Sequence, residues 1–360
     1  MAHRGYLSAA AVEAALQRLA STYPSICQVV TLPEPSIEGR TIHALRIGGG
    51  NGDDRPGLLV LAGVHAREIV NPDLVVSFAL RICQAYTARS GLSFGGKRYP
   101  AEDVRTVLDG LDLFCVPLVN PDGRVWVQSP AGDPMWRKNR NPNPGRACMG
   151  VDINRNYDFL WPSGIGTSTD ACSEVFKGER AFSEPETRNV RHLLDEYPHI
   201  ECMVDVHSYS ELILYPWGDD DNQTTDPAQN FANPAFDGQR GVVGSGYREY
   251  IPEPDLDWYV DTGTKVRDAI AAVRGRSYTV QQGVGLYPTS ATSDDYAYSR
   301  HFVDAGRRVY AYVFETAREF QPPQPEGAQV IEEGSAGLVE LCLACVTTLR
   351  ASHVADAGNR

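Results

Sequence analysis

Apolar positions recur at helical or strand-like spacing along most of the chain. A pattern of helical period follows Ser8, a good N-cap residue, and predicts a helix that ends near Tyr23. Two strand-like runs on either side of a turn-rich stretch predict a hairpin: Cys27 to Leu32 and Thr41 to Ile47. The continuous apolar run from Leu58 to Ala62 is typical of an interior strand buried on both faces.

Strands and helices continue to alternate beyond this point. Asn71 and Pro72 supply a cap and a first-turn proline for a helix that runs to about Ala88. This alternation predicts an α/β sandwich. Its further strand-like runs are Leu113 to Val119, Ile200 to Val206 and Val309 to Phe314, and its further helical stretches are Glu184 to Tyr197 and Lys265 to Arg274.

The chain contains neither a Pro/Ser-rich linker nor an internal repeat. We therefore expect one domain over residues 1–350 and a flexible tail at residues 351–360. Residues 218–261 are rich in Asp, Asn, Gly and Pro, which predicts a long surface excursion. Cys342 and Cys345 lie on an apolar helical face, and this position favours core packing over redox or metal chemistry.

The formal net charge of −13 over 360 residues disfavours nucleic acid or an anionic membrane as a partner. Apolar stretches of signal-peptide or membrane-span length are also missing from the sequence. We expect a soluble monomer. The compartment stays open between a secreted or periplasmic location, if a signal has been removed, and the cytoplasm.

The first candidate metal ligands lie just after the predicted interior strand. His65 and Glu68 follow its end, where open α/β sheets place ligand sites, and they are ligand types that zinc accepts. His207 ends a second apolar run that could neighbour the first. Two histidines and a glutamate would leave a fourth zinc position open for water. The structural alternatives are a solvated surface pair for His65 and Glu68 and a core histidine at position 207.

An ordered series of motifs resembles the carboxypeptidase A/B family of zinc metallocarboxypeptidases over about residues 5 to 350. The motifs are HxRE from His65, NPDG from Asn120, WRKxR from Trp136, GVDxNRNxD from Gly150, DxHSYS from Asp205, YP at Tyr215 and FE at Phe314. The resemblance implies a three-layer α/β/α sandwich with a central mixed β-sheet. It also implies one zinc ion per chain, cleavage at peptide C-termini and a catalytic domain without the family's inhibitory prodomain.

The same resemblance implies roles around the metal. His65, Glu68 and His207 would be the zinc ligands, and Asp152 would accept a hydrogen bond from the His65 ring and fix its tautomer. Glu315 would be the general base that takes a proton from water and passes it to the leaving amine. The alternative for this glutamate is a strand-end carboxylate that faces solvent.

Other positions match substrate-binding residues of the family. Arg140 would polarise the scissile carbonyl and stabilise the oxyanion. Asn154 and Arg155 would bind the terminal carboxylate, for which the planar guanidinium fork is suited. Tyr287 would close over the bound terminus. Arg67 and Arg137 match auxiliary positions along the substrate path, and structural ion pairs are the alternative for both.

The resemblance further implies a disulfide and a specificity residue. Cys148 and Cys172 flank the GVDxNRNxD segment as the family's disulfide pair does. Asp294 lies seven positions beyond Tyr287, where B-type enzymes carry the aspartate that reads Lys or Arg at the departing residue. Relatives with an aspartate at this position also accept apolar residues, so mixed specificity stays open.

Two other functions compete with a peptide carboxypeptidase. A relative that trims peptidoglycan stem peptides or γ-linked glutamates would share the zinc set but need a different carboxylate-side pocket, and the intact Asn154, Arg155 and Tyr287 argue against it. A non-catalytic binding protein on this fold would have lost metal or base residues, whereas all of them are present here.

Overall fold

A computed structural model describes residues 5–49, 55–303 and 308–358, with side chains described as far as Leu349. Its helices are α1 Ala9–Thr22, α2 Asn71–Ala88, α3 Ala101–Gly110, α4 Pro121–Gln128, α5 Pro185–Glu196, α6 Glu253–Arg274, α7 Ser293–Val303 and α8 Gln324–Gly358. Its strands are β1 Cys27–Thr31, β2 His43–Ile47, β3 Gly57–Ala62, β4 Leu92–Phe94, β5 Lys97–Tyr99, β6 Asp112–Val116, β7 Ile200–Ser208, β8 Leu212–Tyr215, β9 Asn222–Gln223, β10 Glu249–Tyr250, β11 Thr279–Gln282 and β12 Tyr310–Thr316.

A mixed sheet of eight strands forms the centre, in the order β1-β2-β6-β3-β7-β12-β8-β11. The four middle strands, β6, β3, β7 and β12, run parallel to one another, and the flanking neighbours β2 and β8 run antiparallel to them. Every residue of β3, β6 and β7 is buried. Strands buried on both faces need helices on both faces, so the predicted α/β/α sandwich with a mixed sheet is confirmed.

Most of the predicted elements are present in the structure. The Ser8 side chain accepts a hydrogen bond from the Ala11 amide at the start of α1, as an N-cap does. Strands β1 and β2 form the predicted antiparallel hairpin. Cys342 and Cys345 are buried free thiols on α8 and pack in the main core, as predicted. None of the helices described is long and apolar enough to cross a membrane.

The start of α2 differs from the prediction in an informative way. Asn71 is the first residue of the helix instead of its cap, and Val70 takes the cap position without a side-chain hydrogen bond. The buried Asn71 side chain points elsewhere: its Oδ1 accepts a hydrogen bond of 3.0 Å from the Thr316 hydroxyl, and its Nδ2 lies 3.5 Å from a Glu68 oxygen. Asn71 therefore ties the start of α2 to the ends of neighbouring elements at the candidate site.

The predicted surface excursion is shorter than expected at its C-terminal side. Helix α6 already begins at Glu253, and residues before it contain the two-residue strands β9 and β10. Trp217 anchors the base of the excursion, since its fully buried ring stacks on Phe159 with 5.1 Å between ring centroids. The backbone of α8 continues to residue 358, into the segment expected as a flexible tail, and residues 359–360 lie outside the described ranges.

The predicted disulfide is present in the structure. Cys148 and Cys172 are joined, with 5.0 Å between their Cα atoms. The loop that the bond closes contains Asp152, Asn154 and Arg155. This irregular segment carries several candidate site residues, and the covalent link limits its freedom where regular secondary structure is scarce.

Candidate metal centre

The candidate metal residues come from the ends of three adjacent parallel strands. His65 follows β3, His207 is the eighth residue of β7, and Glu315 lies near the end of β12, directly beside His207 in the strand register. The carboxyl ends of parallel strands meet at one edge of the sheet, which is where α/β folds bind ligands. The topology thus brings together residues that are up to 250 positions apart in the sequence.

Three buried side chains converge there. His65 Nδ1 lies 2.7 Å from Glu68 Oε1, His207 Nδ1 lies 3.1 Å from Glu68 Oε2, and the two Nδ1 atoms are 3.1 Å apart. One ligand atom from each residue lies within 4.8 Å of the others. Among the residues that the structure describes, no other group of three or more His, Cys, Asp or Glu side chains meets this spacing.

The opposite ring nitrogens face carboxylates. His65 Nε2 lies 3.0 Å from Asp152 Oδ1, and His207 Nε2 lies 3.1 Å from Asp205 Oδ2, although the His207 N–H is not aligned with that oxygen. A carboxylate beside Nε2 keeps the proton there and leaves Nδ1 as a lone pair. Two lone pairs and the Glu68 carboxylate then face one another, and this arrangement needs a cation between them. The donor set fits zinc.

The pKa shifts of His207 and Glu68 agree with a requirement for positive charge at this place. Burial lowers the pKa of His207, but the carboxylates of Asp205 and Glu68 raise it well above its usual value. Burial raises the pKa of Glu68, and His65 and His207 together hold it well below the usual range. Without a metal, protons must therefore supply the positive charge that the three residues require.

Asp152 supports His65 from a rigid position. Its second oxygen, Oδ2, accepts hydrogen bonds from Arg137 Nε at 3.0 Å and Nη2 at 2.9 Å, and Oδ1 also accepts from the Asn154 amide at 3.1 Å. Burial raises the pKa of Asp152, but Arg137 and His65 hold it well below its usual value. Asp152 thus stays ionised, as an acceptor for the His65 ring must.

Asp205 is a functional candidate that the sequence reasoning missed. It lies two residues before His207 on β7, so the two side chains project from the same face of the strand. It is fully buried and is the counterpart of Asp152 on the second histidine. The signal was available, because an ionisable residue inside a strand that is otherwise buried and apolar requires a partner.

Glu315 is a carboxylate beside the three converging residues. Burial and the nearby Glu68 carboxylate raise its pKa to about 8, against the opposing influence of His207 and Arg137. A positive charge in the centre would favour its ionised form. A carboxylate with its pKa raised towards neutrality in a deep strand-end site is typical of a proton-transfer group.

Comparison with known proteins agrees with this geometry. A family model described as zinc carboxypeptidase matches residues 12–337. The chain belongs to this family.

Two curated relatives show the extent of the match. Carboxypeptidase A4 of Mus musculus is 31% identical over 301 residues, which are 83% of this chain and 60% of the relative. Carboxypeptidase B of Astacus astacus is 30% identical over 309 residues, 84% of each protein. The chain thus spans less than two thirds of the mouse relative.

Solved structures match over nearly the whole chain. The carboxypeptidase A from Helicoverpa armigera has a TM-score of 0.74 and 25% identity, over 96% of this chain and 75% of that one. Thrombin-activatable fibrinolysis inhibitor has a TM-score of 0.77 and 21% identity, over 96% of this chain and 76% of that one, and shows the fold alone.

The zinc carboxypeptidase fold brings Asn154, Arg155 and Tyr287 together, as expected. Asn154 and Arg155 lie in a short 3₁₀ turn, where Arg155 Nη1 donates to the Asn154 carbonyl at 2.5 Å and Nη2 lies 3.4 Å from the Tyr287 hydroxyl. Tyr287 is 47% exposed, which leaves it able to move. The Asn154 Oδ1 accepts a 2.8 Å hydrogen bond from the Ser293 amide, which orients the side chain.

The two arginines of the WRKxR motif, Arg137 and Arg140, contact different residues. Arg140 lies over Trp126, with 4.0 Å from its Cζ to the ring centroid, and its Nε is 3.7 Å from Glu38 Oε1. Arg137 is buried against Asp152, and its charge acts on both Glu68 and Glu315. Arg137, expected as an auxiliary residue, therefore lies beside the candidate metal centre, and the described contacts of Arg140 lie elsewhere.

Arg67 occupies a more peripheral position than Arg137. Its Nη1 lies 3.1 Å from Glu174 Oε2, and its guanidinium lies over the Phe320 ring, 4.2 Å from the centroid. This ion pair agrees with the structural alternative considered for Arg67, and its place next to Glu68 in the chain keeps it close to the substrate path.

Asp294 lies in the first turn of α7 and is almost fully buried. Burial raises its pKa, hydrogen bonding to Thr292 opposes this, and the nearby Asp205 carboxylate raises it further. The adjacent Asp295 accepts hydrogen bonds from the Gly218 amide at 3.2 and 3.0 Å, which is a structural role. Asp294 is thus a buried carboxylate close to the metal-centre residues and would be stabilised by a cation.

Proposed function

We propose that this chain is a zinc-dependent carboxypeptidase that hydrolyses the last peptide bond of peptides and prefers Lys or Arg at the C-terminus. The observation that supports this best is the meeting of His65, Glu68 and His207 beside Glu315 at one sheet edge. An endopeptidase would not need a group that binds a free terminus, whereas Asn154 and Arg155 provide one here.

One zinc ion, held by His65 Nδ1, His207 Nδ1 and a Glu68 oxygen, would act as a Lewis acid and lower the pKa of water towards ~7. Glu315 accepts the proton of the attacking water on a carboxylate oxygen. It then donates that proton to the nitrogen of the leaving residue. Burial and the Glu68 carboxylate raise the pKa of Glu315 to about 8, and a positive charge at the centre would favour the ionised form that accepts the proton.

We assign stabilisation of the oxyanion to Arg137 in place of Arg140. Catalysis of this kind needs a donor that is already held in position when the negative charge develops. Asp152 holds the Arg137 guanidinium through two hydrogen bonds and leaves Nη1 available. Arg140 is stacked over Trp126 and paired with Glu38, so it lacks the contacts that would place it at the reacting carbonyl.

Recognition of the terminal carboxylate rests on Arg155 and Asn154. The Arg155 fork can bind both oxygens of a carboxylate, and the Asn154 amide is oriented by the Ser293 backbone. Tyr287 already contacts Arg155 at 3.4 Å and would cover the bound terminus. These groups favour an α-carboxylate at the cleavage site and argue against peptidoglycan-stem or γ-glutamyl substrates. The presence of every metal and base residue argues against a non-catalytic binding protein.

Basic specificity rests on Asp294. A buried carboxylate without a cation is costly, and a Lys or Arg side chain of the departing residue would supply that cation. The raised pKa of Asp294 in the absence of substrate is the expected sign of this missing partner.

Metal analysis tests the zinc assignment. We expect one equivalent of zinc per chain, loss of zinc and activity together on dialysis against 1,10-phenanthroline, and recovery when zinc is added back. Elemental analysis and peptide hydrolysis measure the two quantities on the same samples. Full activity in protein that holds far less than one equivalent would contradict the assignment.

Glu315→Gln should leave zinc content unchanged and lower kcat by about 10²- to 10⁴-fold, because the amide cannot accept the proton of water. Steady-state kinetics on a peptide with a C-terminal Arg measure the loss. A decrease of less than tenfold would exclude Glu315 as the general base.

Arg137→Ala and Arg140→Ala form a matched pair within one motif. We expect kcat to fall about 10²- to 10³-fold for Arg137→Ala, as when an oxyanion donor is removed, and less than tenfold for Arg140→Ala. Both variants lose a guanidinium, so the difference reports position. Equal losses, or a larger loss for Arg140→Ala, would return the oxyanion role to Arg140.

Asp294→Ile should lower kcat/KM for Arg and Lys termini by about 30-fold to several thousand-fold, which corresponds to the ~2 to 5 kcal/mol cost of leaving one partner of a buried pair uncompensated. Peptides ending in Leu or Phe should be spared or improved. The control is Asp295→Asn, which should affect all termini alike because Asp295 binds the Gly218 backbone. An Arg-to-Leu ratio within threefold of the wild type would remove Asp294 as the specificity residue.

A further inference from the structure

A chain of polar contacts links the second candidate metal ligand to a residue proposed to bind the substrate. His207 Nε2 lies 3.1 Å from Asp205 Oδ2 in an ion-pair contact, although its N–H is not aligned with that oxygen, and the same oxygen accepts a 2.7 Å hydrogen bond from the Ser293 hydroxyl. The Ser293 amide donates to Asn154 Oδ1 at 2.8 Å. Ser293 therefore contacts both Asp205, which lies beside His207 Nε2, and Asn154, whose side-chain amide would face the terminal carboxylate of the substrate.

The burial of Asp205 and the charges around it indicate that this residue has a role in the candidate site. Its side chain is fully buried, and its Oδ1 accepts no hydrogen bond in the described part of the chain. Its negative charge raises the pKa of both Asp294 and Glu315, so it lies among like charges. A buried carboxylate with one bare oxygen and like-charged neighbours is costly unless a cation compensates it, and His207 is the ionisable group in contact with it.

We infer that Asp205 and Ser293 form a positioning pair that fixes the tautomer and orientation of His207 for zinc and joins this ligand to the Asn154 end of the substrate site. Ser293 holds Asp205 Oδ2 in place, and the carboxylate holds the proton of His207 on Nε2. The Nδ1 lone pair then faces His65 and Glu68. This inference rests on the proposed zinc function.

Asp205→Asn is the decisive substitution because it changes only the chemistry of the acceptor. The Asn Oδ1 can still accept the Ser293 hydroxyl, but its Nδ2 then presents a donor to His207 Nε2. The ring must accept there, and its proton moves to Nδ1, where it blocks the lone pair that zinc needs. Zinc affinity should fall about 10- to 100-fold, the range typical for loss of a partner behind a metal-binding histidine.

The matched control is Asp112→Asn. Asp112 is also buried and also contacts a histidine, with 3.0 Å between its Oδ2 and His199 Nε2, but it lies on β6 at the opposite end of the strand from the site. Its substitution removes a buried Asp–His contact together with part of an ion pair, since Arg46 Nε also donates to the Asp112 oxygens at 3.0 and 2.8 Å. We expect the thermal unfolding midpoint of the metal-free protein to fall while zinc affinity stays within threefold of the wild type.

The experiment measures the zinc dissociation constant by competition with a chromophoric chelator, together with the unfolding midpoint of each metal-free protein. For Asp205→Asn we expect zinc binding weaker by more than threefold, whereas a purely structural residue would lower the metal-free midpoint and leave zinc affinity unchanged, as expected for Asp112→Asn. Ser293→Ala should weaken zinc binding about 3- to 10-fold, since it loosens the acceptor without removing it. The double variant should lose less than the product of the two single losses, because the pair acts as a unit.

Zinc affinity of Asp205→Asn within threefold of the wild type, or an equal loss in Asp112→Asn, would overturn the inference. If Asp205→Asn does not fold, Ser293→Ala decides: unchanged zinc affinity overturns the inference, and a loss of threefold or more supports it. Failure of the wild-type chain to bind zinc in the same assay would instead overturn the proposed function, and the inference with it.

Discussion

The structure of the site depends on one electrostatic constraint: two imidazole nitrogens and a carboxylate are held face to face in a buried position. The Asp152 and Asp205 carboxylates face the outer nitrogens of His65 and His207, and the inner nitrogens face each other and Glu68. These side chains cannot move apart because the strands that carry them are buried and packed. A cation is the addition that removes the conflict without moving the backbone.

The arrangement of the sheet explains why the histidine nitrogens and the Glu68 carboxylate can stay so close together. Strands β3, β7 and β12 are adjacent and parallel, so three strand ends deliver ionisable groups to one place while dozens of apolar side chains behind them supply the stability of the fold. The segment that contains Asp152 and Asn154 has little regular structure, and there the Cys148–Cys172 disulfide and the contacts of Arg137 supply the rigidity.

Regular patterns made most of the fold predictable, and irregular backbone set the limits. The run from Leu58 to Ala62 identified β3 because a strand buried on both faces leaves an uninterrupted apolar pattern. Strands β8 and β11 lie on the far edge and are only four residues long, so their pattern was too short to recognise. In the WRKxR motif, spacing could not decide between Arg137 and Arg140, since the backbone there follows no period that assigns a side chain to a face.

Asp205 was overlooked for a different reason. Its strand was recognised by apolar residues, and an acidic residue among them was not counted as a partner of His207, two positions later. The spacing of two within a strand could have indicated that pair, whereas the contact of Asp205 with Ser293 from α7 required the structure.

The candidate metal centre and the proposed specificity residue Asp294 are linked electrostatically. Both places contain buried carboxylates, and Asp205 lies between them, in contact with His207 on one side and raising the pKa of Asp294 on the other. A metal ion would compensate the first group and a basic side chain the second. A substrate with an apolar terminus would leave the Asp294 carboxylate uncompensated, and this cost is the physical origin of the proposed preference for basic residues.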